Sequence, residues 1–457
     1  MPRTDLIVIG AGSAGLVAAR TAAALGGRVT LVEADRIGGD CTWTGCVPSK
    51  ALIHAAANAA GREGGSATAA LARVQQAIEA VHSWETPEAL ARMGVEVVAG
   101  TARFRDPRTL EVGSAVLTAP RFVICTGAVP AAPPIPGLEE VGYLTHRTVF
   151  SLDRLPASVI VLGGGAVGIE LAQALSRLGS VVTLVEQAAR LVPIADPDAG
   201  ALIAEVLAAE GVQLHLGVEV ERVRHRAGAV LVEAGGLALE AQTLLVATGR
   251  RAFTHNLGLE ASGVKLDRGA IQVDRQLRTS TKGIFAAGDV TGGPQFTHYA
   301  GWQGYAAARN ALLPGSVAGV RGDVPWTIFT DPAIARVGPT LEDARTRHPG
   351  AVAHRIGLDR VDRAQTDGSP PGFLKLVSDG GDKLLGASVL SPHAGELVNE
   401  LSLAIELGAS IGDLARTIHV YPTYGSGLQD LAAEVSLGRA AAGGRGRLLR
   451  GLIQRLG

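Results

Sequence analysis

The chain opens on an apolar stretch, from Leu6 to Gly27, that is interrupted by only three polar residues. Three glycines break this stretch where a strand over residues 5–9 would pass into a helix, and a second strand over residues 28–33 follows. A signal peptide would end at a cleavage site rather than in a strand. The pattern therefore predicts a strand, a helix and a strand of one α/β unit, with no membrane span.

The same glycines form a dinucleotide-binding fingerprint. Gly10 permits the turn after the strand, Gly12 allows the backbone to approach a pyrophosphate, and Gly15 allows the helix to pack on the strand. The N-terminus of the helix offers unpaired N–H groups to the phosphate. Glu33 ends the second strand, where its carboxylate is expected to accept hydrogen bonds from ribose hydroxyls. These features together predict a dinucleotide site.

This unit recurs further along the chain. A second apolar strand is followed by Gly163, Gly165 and Gly168, and another strand ends in Glu186. Two bound dinucleotides are therefore predicted. Because the Glu186 carboxylate would repel a 2′-phosphate, the second site is expected to bind NADH. NADPH stays possible because Arg190 follows shortly after and is able to contact a phosphate.

Two further apolar stretches, residues 121–125 and 243–247, predict buried strands that end in Thr-Gly turns. Thr126 and Gly127 form the first turn, and Gly249 lies in the second. Such turns are suited to returning the chain beneath a bound nucleotide. The two segments therefore extend the predicted nucleotide sites.

Two residues near these strands also have ordinary structural explanations. Cys125 lies within the first strand and is expected to be a small core residue. Gly288 and Asp289 end a third strand of small residues, where the carboxylate is suited to binding a ribose or polyol. Taken alone, Asp289 would be an ordinary loop acid.

Composition and charge restrict the class of the protein. The 457 residues predict about three domains, and 47% hydrophobic residues are sufficient for globular cores. With 42 Lys and Arg against 43 Asp and Glu, the chain has no basic footprint for nucleic acid. Three cysteines and the absence of a secretion signal favour a cytoplasmic protein.

The candidate chemistry is concentrated between Gly38 and Lys50, in a segment that holds Cys41 and Cys46. Two cysteines separated by four residues are able to close a small disulfide ring. A helix start predicted at Pro48 and the charge of Lys50 would both favour a thiolate at Cys46. A stapling disulfide is not needed in a chain of this size. Zinc binding is the alternative, but the sequence has no second Cys or His pair at ligand spacing. The cysteine pair is therefore predicted to be redox-active.

The order of these motifs resembles that of FAD-dependent pyridine nucleotide-disulfide oxidoreductases, and the resemblance covers nearly the whole chain. The motifs are the cysteine pair, both glycine fingerprints, the Thr-Gly turns and the segment Gly288-Asp289. The resemblance implies that the first fingerprint binds FAD and that the second binds the nicotinamide cofactor. It also implies that Asp289 contacts the flavin side chain.

The resemblance further implies roles around the sulfur pair. Cys46 would lie against the flavin and Cys41 would face the substrate. Lys50 matches a lysine that lies near the flavin N5 and pairs with a glutamate matching Glu170. Without the resemblance, Glu170 would be a favourable acid in the first turn of a helix.

The fold implied is α/β, with two Rossmann-like dinucleotide-binding domains, for FAD and NAD, and an α+β C-terminal dimerisation domain. Residues 1–150 and 256–324 would form the two parts of the FAD-binding domain, residues 151–255 the NAD(P)-binding domain, and residues 325–457 the dimerisation domain. A homodimer is implied, because in the family the C-terminal domain of the partner completes the disulfide site.

One segment, from His419 to Ser426, departs from the disulfide-reducing members of the family. Those members carry a His directly before the Pro-Thr pair and a Glu three residues after the Thr, whereas this chain has Tyr421 and Ser426. A phenol with an ordinary pKa of about 10 is a poor proton shuttle at neutral pH. Mercuric reductases also carry a tyrosine here, and a soft metal ion bound by two thiolates needs no leaving-group proton. The segment therefore favours a mercuric-reductase-like branch, with His419 as either a substitute base or a structural histidine.

The C-terminus differs from that branch. Well-characterised mercuric reductases deliver the ion through a C-terminal cysteine pair and carry an N-terminal heavy-metal-binding domain, whereas all three cysteines here precede Thr126. Residues 445–456 instead predict a basic amphipathic helix. Such a helix packs on its own domain or contacts a membrane surface.

The sequence thus predicts a homodimeric flavoenzyme that passes electrons from NADH through FAD and the cysteine pair to a thiophilic acceptor. The acceptor would be Hg(II) or an unidentified disulfide. Dihydrolipoamide dehydrogenase is the alternative within the enzyme class, and a flavin- and NADH-binding redox sensor without turnover is the alternative outside it. No resident metal is expected, and the expected catalytic residues are Cys41, Cys46, Lys50, Glu170 and Tyr421.

Overall fold

The computed structural model describes residues 4–59, 67–368 and 370–442. No helix within these ranges combines the length and the apolar character that a membrane span requires. The basic helix predicted over residues 445–456 lies outside the described residues.

The described residues divide into two compact units. The first contains the chain up to Gln187 together with residues 211–322, and the second contains residues 188–210 and the chain from Asp323 onward. The first unit is built on two parallel sheets and the second on one antiparallel sheet. The predicted α/β fold class is confirmed, whereas the domain boundaries given above stay predictions.

The first parallel sheet carries the first fingerprint. Every residue of its central strand is buried, which agrees with the continuous apolar run because parallel sheets are covered on both faces. Helix Ser13–Ala24 follows this strand and shares a core with helix Thr297–Leu312. The five strands, in spatial order, are Ile284–Ala286, Phe122–Ile124, Leu6–Ile9, Val29–Glu33 and Val95–Ala99.

The second parallel sheet repeats this arrangement around the second fingerprint. Helix Ala166–Arg177 follows the strand that ends before Gly163. Both fingerprints therefore place the N-terminus of a helix at the carboxyl end of a central strand, where such folds bind nucleotides. The four strands, in spatial order, are Gln213–Leu216, Val181–Glu186, Ser158–Leu162 and Thr243–Val246.

Two consecutive helices, Gly39–Trp43 and Cys46–Ala59, carry the cysteine pair. The second begins at Cys46 and not at Pro48, where the sequence placed the start. The N–H of Ser49 donates to the carbonyl of Gly45, so Pro48 lies in the first turn, where a missing N–H costs no helical hydrogen bond. Helices Ala67–His82 and Pro87–Arg92 follow.

The remaining elements of the first unit are short. Its antiparallel strands are Ala102–Asp106, Thr109–Val112 and Ala115–Thr118; Val220–Arg226, Ala229–Ala234 and Leu237–Ala241; Ala128–Pro130 with Arg250–Ala252; and Leu266–Asp267 with Ala270–Ile271. Its short helices are Leu138–Val141 and Leu259–Ser262, and its 3-10 turns are Val149–Ser151 and Asp289–Thr291.

The second unit packs helices on a five-stranded antiparallel sheet. Helix Ala394–Glu406 buries Leu397 and Leu401, which lie one turn apart on the same face of the helix, in the core of this unit. The strands, in spatial order, are Trp326–Ile328, Ala333–Val337, Leu384–Ser391, Phe373–Ser378 and Val352–Gly357. The other helices are Pro197–Ala209, Leu341–Arg347, Asp362–Thr366, Ile411–Arg416 and Tyr424–Ala442, with a 3-10 turn at Leu358–Arg360.

An ion-pair cluster joins helix Pro197–Ala209 to this sheet. The Nζ atom of Lys375 lies 2.7 Å from a carboxylate oxygen of Asp196 and 2.6 Å from one of Asp198. Asp196 is buried and also caps the helix by accepting the N–H of Asp198. A buried charge of this kind requires its partner. Lys375 therefore explains why residues 188–210 belong to the second unit.

Replacing Gly15 by Ala should destabilise the first unit by about 3 kcal/mol or more, because a Cβ atom there would overlap the carbonyl oxygen of Gly10. Gly165→Ala is the matched control, since a Cβ atom at Gly165 meets no atom of the described residues within 4 Å. Urea unfolding followed by circular dichroism measures both variants. Equal unfolding midpoints would show that the helix does not need its close approach to the strand.

Candidate active site

The two sulfurs of the predicted redox pair are brought together by a glycine. A Cβ atom at Gly45 would come 2.7 Å from the carbonyl oxygen of Asp40, so only glycine lets the two helical turns approach this closely. No disulfide joins Cys41 and Cys46 in this structure, and a hydrogen bond between their side chains shifts the pKa of both. The pair is therefore positioned for direct sulfur chemistry.

This hydrogen bond divides the two sulfurs into a thiolate and a thiol. It is the main cause that lowers the pKa of Cys46 to about 6. The Thr297 hydroxyl and the Lys50 charge lower this pKa further, whereas burial raises it. The same hydrogen bond, together with burial, raises the pKa of Cys41. At neutral pH, Cys46 is thus the thiolate of the pair and Cys41 carries the proton.

Thr297 is a site residue that the sequence did not indicate. Its hydroxyl lies 3.1 Å from the Cys46 sulfur, although the two residues are 251 positions apart. It is the first residue of helix Thr297–Leu312, whose N-terminal N–H groups favour negative charge. No motif surrounds it, so only the folded chain reveals the contact.

Lys50 and Glu170 form an ion pair between helices Cys46–Ala59 and Ala166–Arg177, with 2.8 Å between Nζ and Oε2. The Glu170 side chain is 6% exposed. It lies beyond the first turn of its helix, so the helix N-terminus does not account for it. A buried carboxylate needs a charged partner, and Lys50 supplies it.

A cavity of about 550 Å³ opens beside Cys41 and is lined by Gly10 and Gly12 of the first fingerprint. Gly12 begins helix Ser13–Ala24 without any capping side chain, which leaves the N–H groups of the first turn accessible to phosphate. The glycine backbone forms a cradle that side chains would fill, because a Cβ atom at Gly39 would come 2.8 Å from the Cα atom of Gly12. This cradle fits the FAD pyrophosphate. The cavity is also lined by Glu33, Cys41, Thr126, Gly127, Gly288 and Asp289.

Each dinucleotide fingerprint is followed by a strand that ends in a glutamate, and this glutamate holds the glycine turn. One carboxylate oxygen of Glu33 accepts the N–H of Ala11 at 2.6 Å, and the other accepts the N–H of Asp35 at 2.8 Å. Glu186 accepts the N–H of Gly164 at 2.5 Å. The sequence indicated only ribose binding for these acids, and the structure adds a contact that fixes the turn.

The second fingerprint has the same backbone geometry as the first. Gly163 has a φ of +106°, close to the +97° of Gly10. Gly165 begins the following helix without a capping side chain, and a Cβ atom at Gly168 would overlap the carbonyl oxygen of Gly163. Of the Thr-Gly turns, Gly127 and Gly249 both have positive φ, at +69° and +130°.

A charged cluster beside Cys41 was not indicated by the sequence. The carboxylate of Asp40 lies 2.9 Å from Arg147 and 2.6 Å from Arg250, and Arg250 also lies 3.5 Å from Asp289. Burial is the largest single influence on the pKa of Asp40 and raises it. The His146 hydrogen bond and the charges of both arginines together outweigh burial, so the pKa of Asp40 is lowered. The pKa of Asp289 is raised, chiefly by burial. Asp40 is therefore held as a carboxylate beside the sulfur pair.

The segment that departs from the disulfide-reducing pattern lies in the second unit. The exposed Tyr421 hydroxyl donates to Asp362 at 2.9 Å, which raises the pKa of the phenol further. Ser426 is buried, and its hydroxyl donates to the carbonyl of Thr423 at 2.7 Å. Neither side chain offers a proton that is released near neutral pH.

His419 is engaged within its own chain. Its Nε2 atom lies 2.7 Å from a carboxylate oxygen of Glu400, and its Nδ1 atom lies 3.0 Å from the carbonyl oxygen of Thr417. Both ring nitrogens thus face acceptors. The ring is nearly buried, with 7% of the side chain exposed.

Comparison with known proteins agrees with this geometry. Residues 4–304 match the family model described as pyridine nucleotide-disulphide oxidoreductase, and residues 324–432 match the dimerisation domain of the same family. The second match supports a homodimer.

Individual relatives span the whole chain. A dihydrolipoyl dehydrogenase from Thermus scotoductus is 38% identical over 453 residues, covering 94% of this chain and 97% of that protein. A mercuric reductase from Streptomyces lividans is 37% identical over 457 residues, covering 94% of this chain and 95% of that protein. The Cu(II) complex of the HOCl-induced flavoprotein disulfide reductase RclA from Escherichia coli superposes with a TM-score of 0.89 at 31% identity, covering 95% and 100%.

With its two fingerprints, its sulfur pair and these matches, the chain belongs to the pyridine nucleotide-disulphide oxidoreductase family, whose members use FAD and NAD(P)H.

Proposed function

We propose that this protein is an NADH-dependent flavoenzyme that reduces a thiophilic metal ion such as Hg(II) at Cys41 and Cys46. The observation that carries the proposal is the combination of a sulfur pair already divided into thiolate and thiol with a C-terminal segment that lacks a proton donor. Sulfur ligands select soft metal ions. Reduction of a disulfide, in contrast, requires a proton for the departing thiolate.

The proposed roles follow from the contacts of each side chain. Hg(II) is ligated by Cys41, which faces the substrate in the family pattern, and by the Cys46 thiolate, and the Cys41 proton leaves to solvent. The two thiolates then give two electrons to Hg(II), so that Hg(0) leaves and the Cys41–Cys46 disulfide forms. Lys50, fixed by Glu170, and the Thr297 hydroxyl stabilise negative charge on Cys46. Bound FAD would supply two-electron transfer between the nicotinamide and this pair. Tyr421 stands where disulfide-reducing members carry a histidine, and its phenol is not suited to transfer a proton near neutral pH.

The preference for NADH rests on Glu186. Its carboxylate ends the second strand and is held by the N–H of Gly164, where it is suited to a ribose 2′-hydroxyl and would repel a 2′-phosphate. The guanidinium of Arg190 donates to the carbonyl of Pro193 at 2.9 Å, so one of its N–H groups is already used.

A second candidate is dihydrolipoamide dehydrogenase. The Thermus scotoductus relative favours it, and the pair formed by His419 and Glu400 is an imidazole and carboxylate at 2.7 Å. In this alternative His419 would supply the proton that Tyr421 does not. A redox sensor, which is reduced once without turnover, is the third possibility.

Anaerobic titration with NADH, followed by parallel addition of Hg(II), lipoamide and oxidised glutathione, distinguishes these functions. We expect continuous NADH oxidation with Hg(II) and little with either disulfide, because the leaving thiolate lacks a proton donor. Rapid lipoamide reduction that survives Tyr421→Phe and is lost in His419→Gln would favour the second candidate. One reduction followed by a stall with every acceptor would identify a sensor.

Cys41→Ser should abolish reduction of the acceptor and leave reduction of the flavin by NADH intact, because serine is not a soft ligand or a redox partner for Cys46. Stopped-flow absorbance separates the two steps. Cys125→Ala is the matched control, since Cys125 is buried in the core, and both steps should persist in it. Acceptor reduction that survives in Cys41→Ser would remove the pair from the mechanism.

Alkylation of Cys46 in the reduced enzyme should depend on pH with a midpoint near its pKa of about 6. Because the pKa is lowered, the thiolate is present above this midpoint and is lost as the pH falls through it. Thr297→Val removes a hydrogen bond to the charged sulfur and should move the midpoint to about pH 7. Thr297→Ser keeps the hydroxyl and should keep the midpoint. Iodoacetamide labelling with peptide mass analysis measures both, and identical midpoints for the two variants would contradict the role of Thr297.

A further inference from the structure

A second cavity in the first unit lies next to the cavity with the first fingerprint. It has a volume of about 970 Å³, within the range of small-molecule sites. Arg103, Arg251, Arg268 and His255 line it, and Glu260 is the one carboxylate among the residues that form its wall. The cavity is therefore strongly basic.

This positive charge is a local feature. The whole chain has 42 Lys and Arg against 43 Asp and Glu. Within the described part of the chain, Arg103 and Arg251 make no ion pair, and Arg268 is 3.8 Å from Asp267 with both side chains mostly exposed. Solvent screens a pair of that kind. A concave surface lined by one sign of charge concentrates ions of the opposite sign.

Arg250 adds an observation that points directly to a ligand. The two cavities adjoin, since Arg250, His255, Asn256, Leu257 and Gln295 line both of them. The two terminal nitrogens of Arg250 pair with Asp40 and Asp289. Its Nε atom is buried and has no hydrogen-bond partner among the described residues. A buried donor on a charged group is costly to leave unpaired, so an acceptor outside the described protein atoms is expected.

The wall of the cavity is not only basic. Leu257, Leu266 and Ala270 contribute apolar surface, and Asn256 and Gln295 contribute amide groups. A ligand with a charged end and an apolar or aromatic end would therefore find both kinds of contact. Guanidinium groups bind phosphate oxygens in pairs, with better geometry than a single point charge allows.

We propose that this cavity binds a phosphorylated small molecule of nucleotide size, in addition to FAD and the nicotinamide cofactor and at a site that adjoins the FAD cavity. Arg251 and Arg268 bind its phosphate groups, and Arg250 provides the contact nearest the redox centre. A phosphate that accepts the Nε–H of Arg250 adds negative charge beside the ion pair of Arg250 with Asp40, the residue directly before Cys41. Ligand binding here is thereby linked to the state of the sulfur pair, and this linkage acts in both directions.

Inorganic pyrophosphate is the probe, titrated by calorimetry into FAD-loaded protein that is saturated with NAD⁺ so that both dinucleotide sites are filled. We expect saturable binding with one site per chain that weakens as salt is added. Arg251→Ala combined with Arg268→Ala should weaken binding by about tenfold or more, since each removes a charge-assisted hydrogen bond. Arg92→Ala combined with Arg226→Ala removes two exposed arginines elsewhere and should leave the affinity unchanged.

Circular dichroism and FAD content establish that each variant is folded. Binding to FAD-free protein alone would show that the cavity is an extension of the FAD site and would overturn the proposal. Binding that persists unchanged in the Arg251 and Arg268 double variant, or no binding at all, would also overturn it. None of these readouts depends on the electron acceptor, so they are independent of the function proposed above.

Discussion

The arrangement of the active site depends on a contact between two stretches of backbone. Gly39 lies so close to Gly12 that a Cβ atom at position 39 would come 2.8 Å from the Cα atom of Gly12. This contact joins the turn that precedes Cys41 to the glycine turn of the first fingerprint. Because neither residue has a side chain, Cys41 and the N-terminus of helix Ser13–Ala24 border one cavity. Any larger residue would separate them.

The charges around the cavity are arranged in compensating pairs. The buried carboxylate of Glu170 is matched by Lys50, and that of Asp40 by Arg147 and Arg250. Such pairs contribute little net stability, but they fix positions because breaking one leaves a charge buried without a partner. The thiolate at Cys46 belongs to the same pattern, since it is stabilised by hydrogen bonds from Cys41 and Thr297 before the charge of Lys50 is considered.

The second unit contains the segment in which this chain departs from the disulfide-reducing pattern. One relative of this chain is named mercuric reductase and another dihydrolipoyl dehydrogenase, at nearly equal sequence identity. Overall similarity therefore does not separate these two functions. The difference lies in a few side chains. Tyr421 is bonded to Asp362 and Ser426 to a backbone carbonyl, while His419 has its own carboxylate partner in Glu400. The polar side chains of this segment are therefore held by local hydrogen bonds within the second unit.

The sequence by itself determined the fold class, the two nucleotide-binding units and the redox pair, because these depend on local patterns. A buried parallel strand appears in the sequence as an apolar run, and a tight turn requires glycine. Two cysteines close in sequence are recognised directly as a candidate redox pair. Only the tertiary structure decided the partners of Cys46, Asp40 and Glu170. Thr297, Arg250 and Lys50 are each more than one hundred positions away from the residue they contact, and no local pattern marks such pairs. They exist because parallel strands and packed helices bring distant segments to one edge of a sheet.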